Sequence, residues 1–114
     1  MVKSRNRMKP RVFERKLCTL YAALLRDERK PFVRGVALNI SEGGMFMQTG
    51  ALAFQEGERL HFRISASANG YPCTAGEAEV RWLLRKGDVS AIGLRFDQIG
   101  PDDIGKLREL LNAL

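Results

Sequence analysis

The chain has little with which to do covalent chemistry. It contains one histidine and no HExxH, no GxSxG and no GxxxxGK closed by Ser or Thr, so the usual signatures of zinc hydrolases, serine hydrolases and P-loop enzymes are missing. His61 falls on the outward side of an alternating run, with no cysteine or carboxylate placed to complete a metal site. The acidic residues are scattered, and no carboxylate dyad stands out. The two cysteines, Cys18 and Cys73, lie in no metal-ligand spacing. Each is flanked by strand-like sequence and reads as a free, buried thiol, which fits a reducing compartment. The apolar run over 17–25 has nine residues, too short to cross a bilayer. It follows a basic start, as in a signal peptide, but ends in Arg26-Asp27-Glu28-Arg29-Lys30 with no small-residue cleavage site before it. A buried strand is the better reading. These absences predict a cytoplasmic binding module: no enzyme, no metal, no cofactor and no membrane insertion.

What is present is a divided charge. The net charge is +6. Residues 1–16 hold seven basic groups (Lys3, Arg5, Arg7, Lys9, Arg11, Arg15 and Lys16) against Glu14 alone, so this segment carries the whole excess. The rest of the chain is balanced. A neutral domain with a basic arm implies an anionic partner. A length of 114 residues fits one domain that buries a core without disulfides or metal. There is no internal repeat or low-complexity tract. The expected division is a flexible basic arm over 1–10 and a folded domain over 11–114.

Alternation then gives six short strands. The first, over 17–25, places Cys18, Leu20, Ala22 and Leu24 on one face. The second, over 32–41, places Val36, Leu38 and Ile40 inward and Asn39 and Ser41 outward. A Gly43-Gly44 turn leads to a short third strand over 45–49. The fourth, over 58–65, points Leu60, Phe62 and Ile64 inward. Asn69-Gly70 signals a hairpin. The fifth, over 73–84, groups Val80, Trp82 and Leu84, and the sixth, over 89–96, groups Ile92, Leu94 and Phe96. The period then changes. Gly100-Pro101-Asp102-Asp103 starts a helix, with Pro at the first position and acids at the positive end of the dipole. Ile104, Leu107, Leu110, Leu111 and Leu114 form an apolar stripe over 101–113 that packs on or caps the barrel. The expected fold is all-β with a terminal helix: a six-stranded antiparallel barrel.

Two motifs point to a site. Arg11-Val12-Phe13-Glu14-Arg15 sets two guanidinium groups four residues apart before the first strand. Such forks hold phosphates bidentately, read the O6/N7 edge of guanine and stack on bases. Asn39 and Ser41, followed by Gly44, offer short neutral hydrogen-bonding groups beside a turn where a backbone can approach closely. Arg7 and Arg11 repeat the arginine spacing, but the Arg11/Arg15 register adjoins the strand.

Together these motifs resemble the PilZ domain family. The matching positions are Arg11 and Arg15, then Asn39, Ser41 and Gly44. Gly35 to Phe46 is similar to the family's core signature, and Val80-Arg81-Trp82 and Ile92-Gly93-Leu94-Arg95-Phe96 to its later strands. The resemblance covers 7–114. It implies a six-stranded barrel with a C-terminal helix and, as in many bacterial members, binding of cyclic di-GMP. By that resemblance Arg11 and Arg15 grip guanines and phosphates, Asn39 and Ser41 hydrogen-bond a guanine edge, and Gly44 permits the turn. The family often has Asp at the position of Asn39. Pro10 stands where members that hold a stacked ligand dimer carry another arginine, which points to one ligand per domain, with Arg7 as an additional candidate contact. The implied mechanism is an arm that orders on the nucleotide and is read by an unidentified downstream protein. The alternatives are a ligand-independent adaptor and a basic-armed nucleic-acid-binding barrel. Inward placement of Phe62, Trp82 and Phe96 argues against the last.

Overall fold

The computed structural model describes residues 15–26, 33–50, 54–67 and 73–114. The strands are β1 (Lys16–Leu25), β2 (Val33–Ile40), β3 (Gly44–Gly50), β4 (Arg59–Ser65), β5 (Cys73–Lys86) and β6 (Val89–Gln98), followed by the helix α1 (Pro101–Asn112). Their order is β1-β2-β3-β6-β5-β4 in a closed barrel, with every pairing antiparallel. The ring closes between β1 and β4, from Tyr21 opposite Ser65 to Leu25 opposite His61. The expected six-stranded barrel and terminal helix are therefore found. The arm over 1–10, Arg7, Arg11 and the Asn69-Gly70 hairpin lie outside the described residues.

Alternation fills the barrel. Leu20, Leu24, Met45, Met47, Leu60, Phe62, Ile64, Val80, Ile92 and Leu94 are buried, and each full burial of this kind contributes about 1.5–3 kcal/mol. Phe62 stacks on Phe96 with ring centroids 4.6 Å apart. The helix adds Leu107 and Leu111 to the same core. Its first turn is anchored as well, because Asp103 Oδ1 accepts the Ala75 N–H of β5 at 3.0 Å. The helix ends at Asn112, so Leu114 leaves the apolar stripe and is exposed.

Strict alternation fails at two bulges. Between Ala37 and Asn39 the register of β2 on β3 shifts. Ala37 and Ile40 are consequently the buried pair, and Val36 and Leu38 are only half-buried, which corrects the expected Val36/Leu38/Ile40 face. Between Val80 and Trp82 the register of β5 on β6 shifts. Val80 stays inside, while Trp82 and Leu84 turn outward. An extra residue on one strand reverses the facing of the residues after it, and sequence period alone does not reveal it. The cysteines are free, as expected, but half-buried rather than buried. Cys18 Sγ donates to the Ala37 carbonyl at 3.4 Å, and burial pushes its thiol pKa up.

Candidate functional site

The antiparallel pairing of β1 with β2 sets Leu17 opposite Asn39. That register carries the residue just before the strand, Arg15, alongside Asn39. Arg15 Nη1 donates to Asn39 Oδ1 at 2.7 Å, across 24 positions of sequence. Both ends are on the exposed side. The last arginine of the arm and the first polar residue of the second motif thus meet in space.

Ser41 behaves differently from the sequence expectation. It is 4% exposed and does not project outward. Its hydroxyl accepts the Gly43 N–H at 3.0 Å, and its own N–H donates to the Gly44 carbonyl at 2.9 Å. Serine here closes the turn on itself, as short hydroxyl side chains do. Gly44 is the first residue of β3, opposite Arg95, rather than the middle of the turn. A Cβ built on it would sit 2.1 Å from the Leu94 carbonyl oxygen, so glycine is required by the close approach of two strands. Among the described residues the glycines with positive φ are Gly57 and Gly87; both lie in other turns.

Three features around this edge were not read from the sequence. First, the turn is tied to the helix: Arg108 Nε donates to Glu42 Oε1 at 3.0 Å. Second, an ion network flanks Gly44. Arg95 meets Glu79 at 2.7 Å and Asp97 at 3.6 Å, Arg81 meets Glu79 at 3.5 Å, and Arg59 meets Asp97 at 3.1 Å. Third, an aromatic pair continues outward from Asn39. Asn39 is opposite Phe46, Phe46 opposite Gly93, and Gly93 opposite Trp82. Phe46 and Trp82 meet edge to face, with centroids 5.4 Å apart at 82°. The indole lies over Gly93, where a Cβ would stand 2.1 Å from Trp82 Nε1. Trp82 is 41% exposed. A glycine inside an otherwise apolar strand was the available signal for this close approach.

Among the described residues, the arrangement holds hydrogen-bonding groups and cations. Among the described residues no three metal-ligating side chains gather. No helix among them is long and apolar enough to cross a membrane. A concavity of about 450 Å³ lies between β4, β5 and the start of α1, lined by His61, Arg63, Glu77 and Asp103 among others. None of the described candidate site residues, Arg15, Asn39, Ser41 and Gly44, lines it.

No curated protein matches the chain in sequence. The family model of the PilZ domain matches residues 7–113. Solved structures with the same fold include the inhibitor of motility of Bacillus subtilis, at 25% identity and a TM-score of 0.71, covering 94% of this chain and 54% of that one. The PilZ domain of YcgR from Escherichia coli, solved with c-di-GMP, shares 16% identity at a TM-score of 0.72, covering 93% and 92%. The c-di-GMP complex of MrkH from K. pneumonia shares 14% at a TM-score of 0.73, covering 93% and 52%. The chain thus spans about half the length of the motility inhibitor and of MrkH.

Proposed function

Because the chain belongs to the PilZ domain family, we propose that it binds cyclic di-GMP at the junction of Arg15 and Asn39 and acts as a non-catalytic signalling effector. The observation that carries this reading is the 2.7 Å contact between those two side chains. It joins the gripping motif to the discriminating one. The complexes of YcgR and MrkH with the same dinucleotide support the ligand assignment.

The chemistry suits the ligand. Cyclic di-GMP has two phosphates and two guanines. The arm supplies long-range attraction, and the guanidinium groups of Arg11 and Arg15, with Arg7 as a further contact, supply forked donors for phosphate and guanine. Asn39 offers both an acceptor and donors to a base edge. Ser41 and Gly44 act by holding the turn and the strand beside it, so that the Asn39 side chain keeps its place. On binding, the arm folds over the barrel face and the altered surface is read by a downstream protein. Ordering costs about 1–2 kcal/mol per residue, and each charge-assisted hydrogen bond returns about 1.5–3 kcal/mol, so a short segment closes favourably.

Calorimetric titration of the full chain with cyclic di-GMP tests the reading. Micromolar binding that weakens in Arg15→Ala is expected. No heat at tens of micromolar ligand sinks the assignment, and unchanged affinity in Arg15→Ala removes the role of Arg15. The outward placement of Trp82 favours one second reading, base stacking on a single-stranded nucleic acid. Phe46 and Trp82 form a single edge-to-face pair rather than a row of open faces, and a steep salt dependence with competition by any polyanion distinguishes that case.

A further inference from the structure

The concavity between β4, β5 and the start of α1 takes no part in the function proposed above. At about 450 Å³ it falls within the range of small-molecule sites, about 300–1,000 Å³. Two cross-strand rows build it. One runs Leu25, His61, Glu77, Gln98 over β1, β4, β5 and β6. In the other, Arg63 of β4 is opposite Ala75 of β5, and the Ala75 N–H bonds to Asp103 of α1 at 3.0 Å. Long polar side chains thus stand around a single methyl group, and that difference in length makes the hollow. Gly76 tightens its base: a Cβ there would stand 2.6 Å from the Gln98 carbonyl oxygen, so the chain leaving β6 passes close to β5.

The polar groups of the hollow are sorted by sign. Arg63 and His61 come from β4, and Glu77 and Asp103 from β5 and α1. The His61, Glu77 and Gln98 side chains make no hydrogen bond or ion pair among the described residues. Asp103 uses one carboxylate oxygen on Ala75. Arg63 has a partner already, but a guanidinium carries five N–H donors. An anion would meet the carboxylates of one wall and a cation the guanidinium of the other. A neutral ligand would leave each fixed charge without a countercharge, and charge-assisted hydrogen bonds are roughly twice as strong as neutral ones. We propose that the hollow binds a small zwitterion, a free aliphatic α-amino acid. Its carboxylate faces Arg63 and His61, its ammonium group faces Glu77 and Asp103, and its side chain lies on Leu25 and Ala75. Arg15, Asn39, Ser41 and Gly44 do not line the hollow, so this inference goes beyond the nucleotide reading and does not depend on it.

Saturation-transfer NMR and amide-shift mapping of the full chain with L-leucine test the proposal. L-leucine is expected to bind with a Kd below about 1 mM and to shift the amides of Ala75, Glu77 and Gln98. Leucinamide, which lacks the carboxylate, and isocaproate, which lacks the ammonium group, should each bind about tenfold more weakly or worse. Glu77→Gln keeps the shape of its wall and removes the charge, and should weaken L-leucine by about tenfold. Ala75→Leu fills the hollow and should abolish binding. The proposal is overturned if tens of millimolar L-leucine give no saturation transfer, or if the shifts bypass Ala75, Glu77 and Gln98. It is also overturned if leucinamide, isocaproate or neutral methyl glucoside binds as tightly, or if affinity in Glu77→Gln is unchanged. Should a melting curve show that Ala75→Leu does not fold, Glu77→Gln and the two leucine analogues decide.

Discussion

Arg108 of the helix donates to Glu42 across 66 residues of sequence, so the C-terminal element is fastened to the turn that carries Ser41 and leads into Gly44. The Arg108 side chain is largely exposed, and exposed ion pairs are worth about 0–1 kcal/mol. Arg108→Ala is expected to lower the unfolding free energy measured in urea by less than about 1 kcal/mol. Its effect should appear locally, as faster amide exchange at Gly43 and Gly44, and the exchanged pair Glu42→Arg with Arg108→Glu should restore protection.

Arg15→Ala breaks the one described contact between the two motifs. Because both ends are exposed, thermal stability should be nearly unchanged. Affinity for cyclic di-GMP should fall by about tenfold or more, the equivalent of one charge-assisted hydrogen bond. Calorimetry and a melting curve on the same sample read both quantities.

Ser41→Ala should behave in the opposite way. The hydroxyl is buried and accepts the Gly43 N–H, and removing the acceptor leaves that donor unpaired at a cost of about 1–3 kcal/mol. A lowered denaturant midpoint is expected in the absence of any ligand. An unchanged midpoint would show that the turn does not depend on the serine.

Gly44→Ala and Gly93→Ala should differ. At Gly44 the new methyl group meets a backbone carbonyl, which cannot swing aside, and overpacking of this kind costs about 1–3 kcal/mol or more. At Gly93 it meets the half-exposed indole of Trp82, which can move. Gly93→Ala should therefore destabilise less, while shifting tryptophan emission to the red.

The Cys18 thiol, with its pKa raised by burial, gives a pH dependence of known sign. The folded chain holds this proton to higher pH than the unfolded chain does. The associated stability is complete below the unfolded pKa and is lost as pH rises through the folded one. Cys18→Ala should flatten that alkaline loss in thermal melts. Cys18→Ser should flatten it as well.

Most of the fold was legible because six alternating runs and one change of period each report a local geometry. The site was legible only in part. RxxxR and NxSxxG specify which residue types gather, and the β1–β2 register brings Arg15 to Asn39 as that pairing requires. The outward placement expected for Ser41 fails because its hydroxyl closes the turn onto the Gly43 N–H, and alternation does not report such a local bond. Trp82 misleads because a single extra residue after Val80 turns it outward. The Glu42–Arg108 tie was hidden for another reason: opposite charges 66 residues apart carry no periodicity.

The seam between β1 and β4 has a further consequence for recognition. The ring closes, but β1 and β5 both run past the short β4, which pairs with Tyr21–Leu25 of one and Cys73–Glu79 of the other. Lys16–Leu20 and Arg81–Lys86 therefore have a strand neighbour on one side only among the described residues. A visiting strand can pair along those stretches, whereas whatever settles on the closed part of the ring must be read by side chains alone.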